Sequence, residues 1–100
     1  MYFITVVKLG ENNVVDSYKV VGYVSDSNEA DRAVTENVNN IFDEGRYQYA
    51  IISKVDTGFF PSIEDQQWYS YTMEDDYRFI LIDKCDAPEG LDEFEPYIMG

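Results

Sequence analysis

The sequence has no histidine, a single cysteine, and only 7 lysines and arginines against 20 aspartates and glutamates, for a formal net charge of −13 over 100 residues. Each shortage excludes something. Without histidine, no side chain has an ordinary pKa near neutrality to carry general acid–base chemistry. One cysteine cannot close an intrachain disulfide. Cys85 also has no histidine or second cysteine to activate it or share a metal, so it is expected as a strand-end packing residue, its thiol pKa lowered slightly by Lys84. The cations, Lys8, Lys19, Arg32, Arg46, Lys54, Arg78 and Lys84, are dispersed with carboxylates between them. Phosphate backbones require clustered cations, so direct binding to nucleic acid is not expected. Apolar runs fall far short of the ~20 residues of a membrane span. The opening Met1-Tyr-Phe-Ile-Thr-Val-Val-Lys8 has neither the basic start nor the small-residue cleavage site of a signal peptide. No glycine loop suited to phosphate and no nucleophile elbow occurs. The expectation is a cytoplasmic, non-enzymatic protein with no cofactor, no metal and no membrane partner.

What is present argues for a folded domain. Apolar residues make up 45% of the chain and aromatics 16%, too many for a disordered acidic tail. The length suits one domain, residues 1–100, with 86–100 as an acidic, loosely structured tail. Tyr2 to Leu9 is dense in β-branched and aromatic types and predicts a strand. Gly10-Glu-Asn-Asn13 supplies the positive φ of a hairpin turn into a second strand, Val14 to Val24, in which Gly22 marks a bulge or close backbone approach. Ser25 or Asp26 then caps a helix, and Asp26 with Glu29 has capping-box spacing. Ala30, Ala33, Val34, Val38, Ile41 and Phe42 recur at helical steps and predict one amphipathic helix over 27–44, ended by Gly45 and anchored by Val34, Val38 and Ile41. Strands follow at 47–55, 67–72 and 77–84, with 56–66 a loop and Met73 to Asp76 a hairpin tip. Tyr77 to Asp83 carries apolar groups toward both faces, which predicts a central strand. The fold class is therefore α+β: a β-β-α-β-β-β antiparallel sheet with one helix packed across one face. One helix cannot cover five strands, so the remaining sheet surface meets solvent, the tail or a second subunit, which leaves a homodimer open.

Three groups of residues bear on function. The triplet Glu74, Asp75 and Asp76 lies at the hairpin tip. It lacks the alternate-residue ligand spacing and the glycine of a calcium loop, which favours a solvated turn over a metal site. Seven of the aromatics fall between 59 and 79, among them Tyr69, Tyr71 and Tyr77. Tyrosine is enriched at protein interfaces, so these rings offer apolar contact area beside the acidic tip. Carboxylates at 64, 65 and 74–76 would repel a phosphate backbone from the same rings. Glu29, Glu36 and Asp43 are spaced by seven and would share one stripe of the predicted helix, opposite its apolar face. Asn37 lies near the edge of that face, where its amide needs partners. Residues 51–100 hold 12 acids against Lys54, Arg78 and Lys84, which makes the C-terminal half the stronger electrostatic face.

Gly22-Tyr23 with Ser25-Asp26, Ala33-Val34 with Asn37, Tyr49-Ala-Ile-Ile52 and Trp68-Tyr69 together form a pattern. Over about residues 20–71 the chain resembles a group of small acidic proteins encoded by bacteriophages and prophages. The 10–13 turn and the acidic tail are not part of that pattern. The resemblance implies expression in a bacterial cytoplasm by an element in conflict with host defences, and it carries no functional residue. The expected function is anti-defence. The chain would bind and inhibit a basic host protein that handles nucleic acid by occupying its nucleic-acid-binding surface, as an anti-CRISPR or DNA-mimic protein does. The alternatives are a small-molecule or nucleotide-signal binding module using the aromatic sheet face, and an accessory structural phage protein.

Overall fold

Strand β1 (Tyr2–Leu9) is apolar toward both sides, and its central residues, Ile4 to Val7, are buried on both faces. Such a strand must lie inside a sheet. The structure, a computed structural model, describes residues 1–56, 62–74 and 79–91. In it β1 is flanked by β2 (Val15–Val24) and β3 (Tyr49–Asp56), with β4 (Ser62–Glu74) beside β3 and β5 (Phe79–Cys85) beside β4. All pairings are antiparallel and the order is β2-β1-β3-β4-β5. Helix α1 (Ser27–Thr35) packs on one face, so the α+β architecture is the one implied by the sequence.

Local chemistry sets the turns. Asn12 and Asn13 both take φ 58°, the left-handed conformation that asparagine tolerates, between β1 and β2. The β1–β2 register shifts between Ile4 and Thr5, leaving Val21 as the extra residue beside Gly22, and again between Lys8 and Leu9, at Asp16. Asp26 caps α1, its carboxylate accepting the Asn28 N–H at 3.2 Å.

The sheet separates two apolar clusters. On the helix face, Ala30 and Val34 of α1 meet Ile4, Val6, Ala50, Ile52, Tyr69 and Tyr71, with Phe42 filling the end beyond the helix. On the opposite face, Val7, Ile51 and Trp68 are buried with Tyr18, Tyr49 and Cys85 around them, and Ala87 and Leu91 from the segment after β5 pack onto the same cluster. The start of the predicted tail thus covers part of the face that the helix leaves open. Residues 92–100 lie outside the described residues.

Several sequence expectations are corrected. The helix ends at Thr35, so it spans nine residues rather than the predicted eighteen. Asn37 takes φ 48°, Asn39 55° and Asn40 54°, and the Asn37 Oδ1 accepts the Phe42 N–H at 3.2 Å. Asparagine side chains compete for backbone donors and favour left-handed turns, so three of them in four residues stop the helix. Ile41 and Phe42 still reach the core, delivered by the turn rather than by helical periodicity. Val38 does not, being 41% exposed. Helix termination falls to Asn37 instead of Gly45. The third strand is Tyr49–Asp56 rather than 47–55. β4 begins at Ser62, so the described part of the predicted 56–66 loop is strand. The last strand is Phe79–Cys85 and lies at the sheet edge instead of its centre. No helix among the described residues is long and apolar enough to cross a membrane.

Candidate functional site

The residues singled out from the sequence are dispersed by the fold. Tyr69 and Tyr71 alternate with Trp68 along β4 as expected, but they point under α1 and Phe42 and are 2% and 8% exposed. They are core rings and offer little surface to a partner, because the helix face of β4 is mostly covered. The stripe of Glu29, Glu36 and Asp43 is also broken. Glu29 lies in the first turn of α1 and Glu36 at its C-cap, 3.7 Å from Arg32, whereas Asp43 belongs to the turn region after the left-handed asparagines. Glu74 ends β4. Asp75, Asp76 and Tyr77 lie outside the described residues.

Two of these groups nevertheless approach one another. Residues 37–45 fold back over the outer end of β4, and Gly45 at φ 94° lies against Tyr71 and Met73. A β-carbon at Gly45 would fall 2.8 Å from Met73 Cε and 3.2 Å from Tyr71 Cε1, so glycine is what lets the turn settle this close. Between this turn and the sheet runs a groove of about 460 Å³. Tyr71, Met73 and Ile80 form its apolar side, and Asn37, Asn40 and Glu44 line the other. The Phe42 ring braces the floor, 4.9 Å from that of Tyr71. Asp43, adjacent to Glu44, lies 3.7 Å from Arg46 and is exposed, and Glu74 directly follows Met73 in β4. The segments that carry the predicted acids 43 and 74 therefore meet at one end of the sheet.

The wall of that trough is strained. Asp43 has φ 50° and Glu44 φ 55°. Glutamate, unlike asparagine, has no short side chain to compensate the left-handed conformation, at a cost of roughly 1–2 kcal/mol. Strain of this kind tends to persist where a segment has a task to perform.

A second, more polar cleft of about 250 Å³ opens beside the start of α1, lined among others by Tyr2, Asp31, Lys54, Gln67, Tyr69 and Lys84. Here the Tyr69 hydroxyl donates to Asp31 Oδ1 at 2.6 Å, and Lys84 Nζ lies 4.0 Å from the same oxygen. Burial first, and then the Asp31 carboxylate, push the Tyr69 hydroxyl well above the usual tyrosine range. On the opposite face, burial raises the Cys85 thiol and the neighbouring Asp86 adds to it. This reverses the expected influence of Lys84, whose side chain is directed to Asp31 on the other face. A raised thiol pKa works against a reactive thiolate.

Sequence reasoning missed Glu44, Met73 and Ile80. The run Asn37, Asn39 and Asn40 was the available signal for the first, since it marks where the helix must stop. Nothing in the pattern signalled that Ile80 would be exposed. No protein-family model, curated protein or solved structure matches the chain.

Proposed function

We propose that this chain is a non-enzymatic anti-defence protein that binds a basic host protein and occupies its nucleic-acid-binding surface. The observation that carries the reading is the apolar groove of Tyr71, Met73 and Ile80 with Glu44 in its wall, on a chain of net charge −13. An apolar centre with a charged rim is the usual anatomy of a protein interface. The field of so acidic a chain steers association with basic surfaces. The resemblance of residues 20–71 to small phage-encoded acidic proteins favours a bacterial cytoplasmic setting. Asp75 and Asp76 follow Glu74 in the sequence and add to the negative charge of this stretch.

The test is recovery of partners from bacterial lysate at low and high salt, followed by competition between this chain and nucleic acid for what is recovered. A basic nucleic-acid-handling protein retained at low salt and displaced by nucleic acid is the expected result; its absence counts against the reading. Converting Glu74, Asp75 and Asp76 together to Ser should leave folding intact and slow association, with a loss that shrinks as salt rises. Exposed charges contribute only ~0–1 kcal/mol each, so the triple change is needed.

The polar cleft favours a second reading, a small-molecule binding module. It gathers two of the seven cations, Lys54 and Lys84, with Tyr2 and Tyr69. Because Asp31 and Asp65 share the lining, a dianionic ligand also meets like charge there. Equilibrium dialysis against mono- and dinucleotides distinguishes the two readings.

A further inference from the structure

The two edges of the sheet are built differently. The β2 edge is interrupted by two register shifts, at Val21 and Asp16, and carries Asp16, Ser17 and Lys19. Bulges and charges are how proteins keep an edge from accepting another strand. The β5 edge has neither protection over its apolar part. Its pairing with β4 runs without a register shift from Trp68↔Cys85 to Glu74↔Phe79. Phe79, Ile80, Leu81 and Ile82 follow one another, and Ile80 is 53% and Leu81 46% exposed, toward opposite faces. The edge lysine, Lys84, is turned to Asp31. No described strand pairs with the outer side of β5, and the apolar groove opens along the same edge through Ile80.

We infer that β5 is a docking edge that receives an extended, basic segment of the partner as a sixth strand. The inference rests on the reading above and names the mode of binding. An added strand draws affinity from main-chain hydrogen bonds and specificity from alternate side chains. On one face those side chains lie beside Ile80 and the groove, whose wall holds Glu44. On the other they lie beside Leu81 and Asp83, with Asp86 just beyond. Apolar residues alternating with lysine or arginine satisfy both. Charge decides against a second copy as the occupant, because it would bring another net −13 to the same edge.

The probe is a fluorescent, end-blocked heptapeptide, Lys-Val-Arg-Ile-Lys-Val-Arg, titrated with the full chain and followed by anisotropy. A peptide of the same sequence, N-methylated at alternate residues, keeps the charge and loses the main-chain donors on one side. The expected result at about 50 mM salt is binding of the first peptide that weakens as salt rises. The N-methylated peptide, or the Ile80→Ser/Leu81→Ser chain with the first peptide, should bind at least about tenfold more weakly. Equal binding of both peptides to the unaltered chain reduces the interaction to charge and overturns the inference without reference to any variant. So does no binding at low salt, or a dimer in sedimentation that the Ile80→Ser/Leu81→Ser substitutions dissociate. Lysate recovery separates the two proposals. A basic partner held equally well by the substituted chain removes the edge and keeps the function, whereas recovery of none by the unaltered chain removes the function.

Discussion

The bond from Tyr69 to Asp31 is a polar tie between the sheet and α1, and Tyr69→Phe isolates it. The ring stays in the core, so the change removes one hydroxyl and one hydrogen bond of 2.6 Å to a carboxylate. Bonds to charged groups contribute roughly 1.5–3 kcal/mol, and the 40% exposure of the Asp31 side chain places this one at the low end, about 1.5 kcal/mol. For a domain of this length that is a fall in Tm of about 6–12 °C. The pH dependence gives a second, independent check. Burial and Asp31 raise the folded pKa of Tyr69, so the unfolded chain loses this proton first as pH rises. The unfolded state then binds fewer protons than the folded one, and stability declines with pH. The contribution of the tie is therefore whole below the ordinary tyrosine value of about 10 and is lost as pH climbs above it toward the folded value. Urea unfolding of both chains between neutrality and the alkaline limit should give a constant gap up to about pH 9 that narrows beyond pH 10. A gap near zero at neutral pH, or one unchanged in alkali, would refute the bond and with it the placement of α1 on β4.

Val34→Ala, at a fully buried position of α1, should cost about 2–3 kcal/mol, while Val38→Ala in the exposed turn should stay within about 0.5 kcal/mol; thermal unfolding of the pair decides where the helix ends. Gly45→Ala forces an alanine to φ 94° with its β-carbon against Met73 and Tyr71, and should cost at least about 1 kcal/mol in chemical denaturation. Ser53 Oγ is buried without a hydrogen-bond partner among the described residues, so Ser53→Ala should raise stability by about 1 kcal/mol, read as a higher Tm.

Element order was legible because each signal was local. Alternation assigned Trp68 and Tyr69 to opposite faces of β4, Asp26 gave the helix start, and Gly10 to Asn13 gave the first turn. What failed needed long-range context. Val38, Ile41 and Phe42 continue the helical spacing of Ala30 and Val34, yet Asn37 diverts the chain, and backbone conformation at one residue overrides a periodic pattern. Phe79 to Ile82 is apolar toward both sides. That pattern marks a central strand when a sheet is closed on both flanks, but it is equally what an edge shows when it is built to accept a strand.

The same distinction governs the site. Charge is additive along a sequence, so the acidic character of the C-terminal half needed no structure. Contact area depends on which side of a strand a ring faces, and here Tyr69 and Tyr71, which suggested an interface, serve the core. Their burial moves the apolar part of the candidate site to Met73 and Ile80, which continue the core-facing side of β4 and β5 beyond the end of the helix. Because α1 stops at Thr35, its short length leaves the outer end of β4 and β5 uncovered, and the 37–45 turn closes only one wall over it. A helix continued to residue 44 would have carried Glu36 and Asp43 on one solvated stripe, and left no turn to fold back over β4. The three asparagines that end the helix thus create the groove, and they bring Glu44 to its wall.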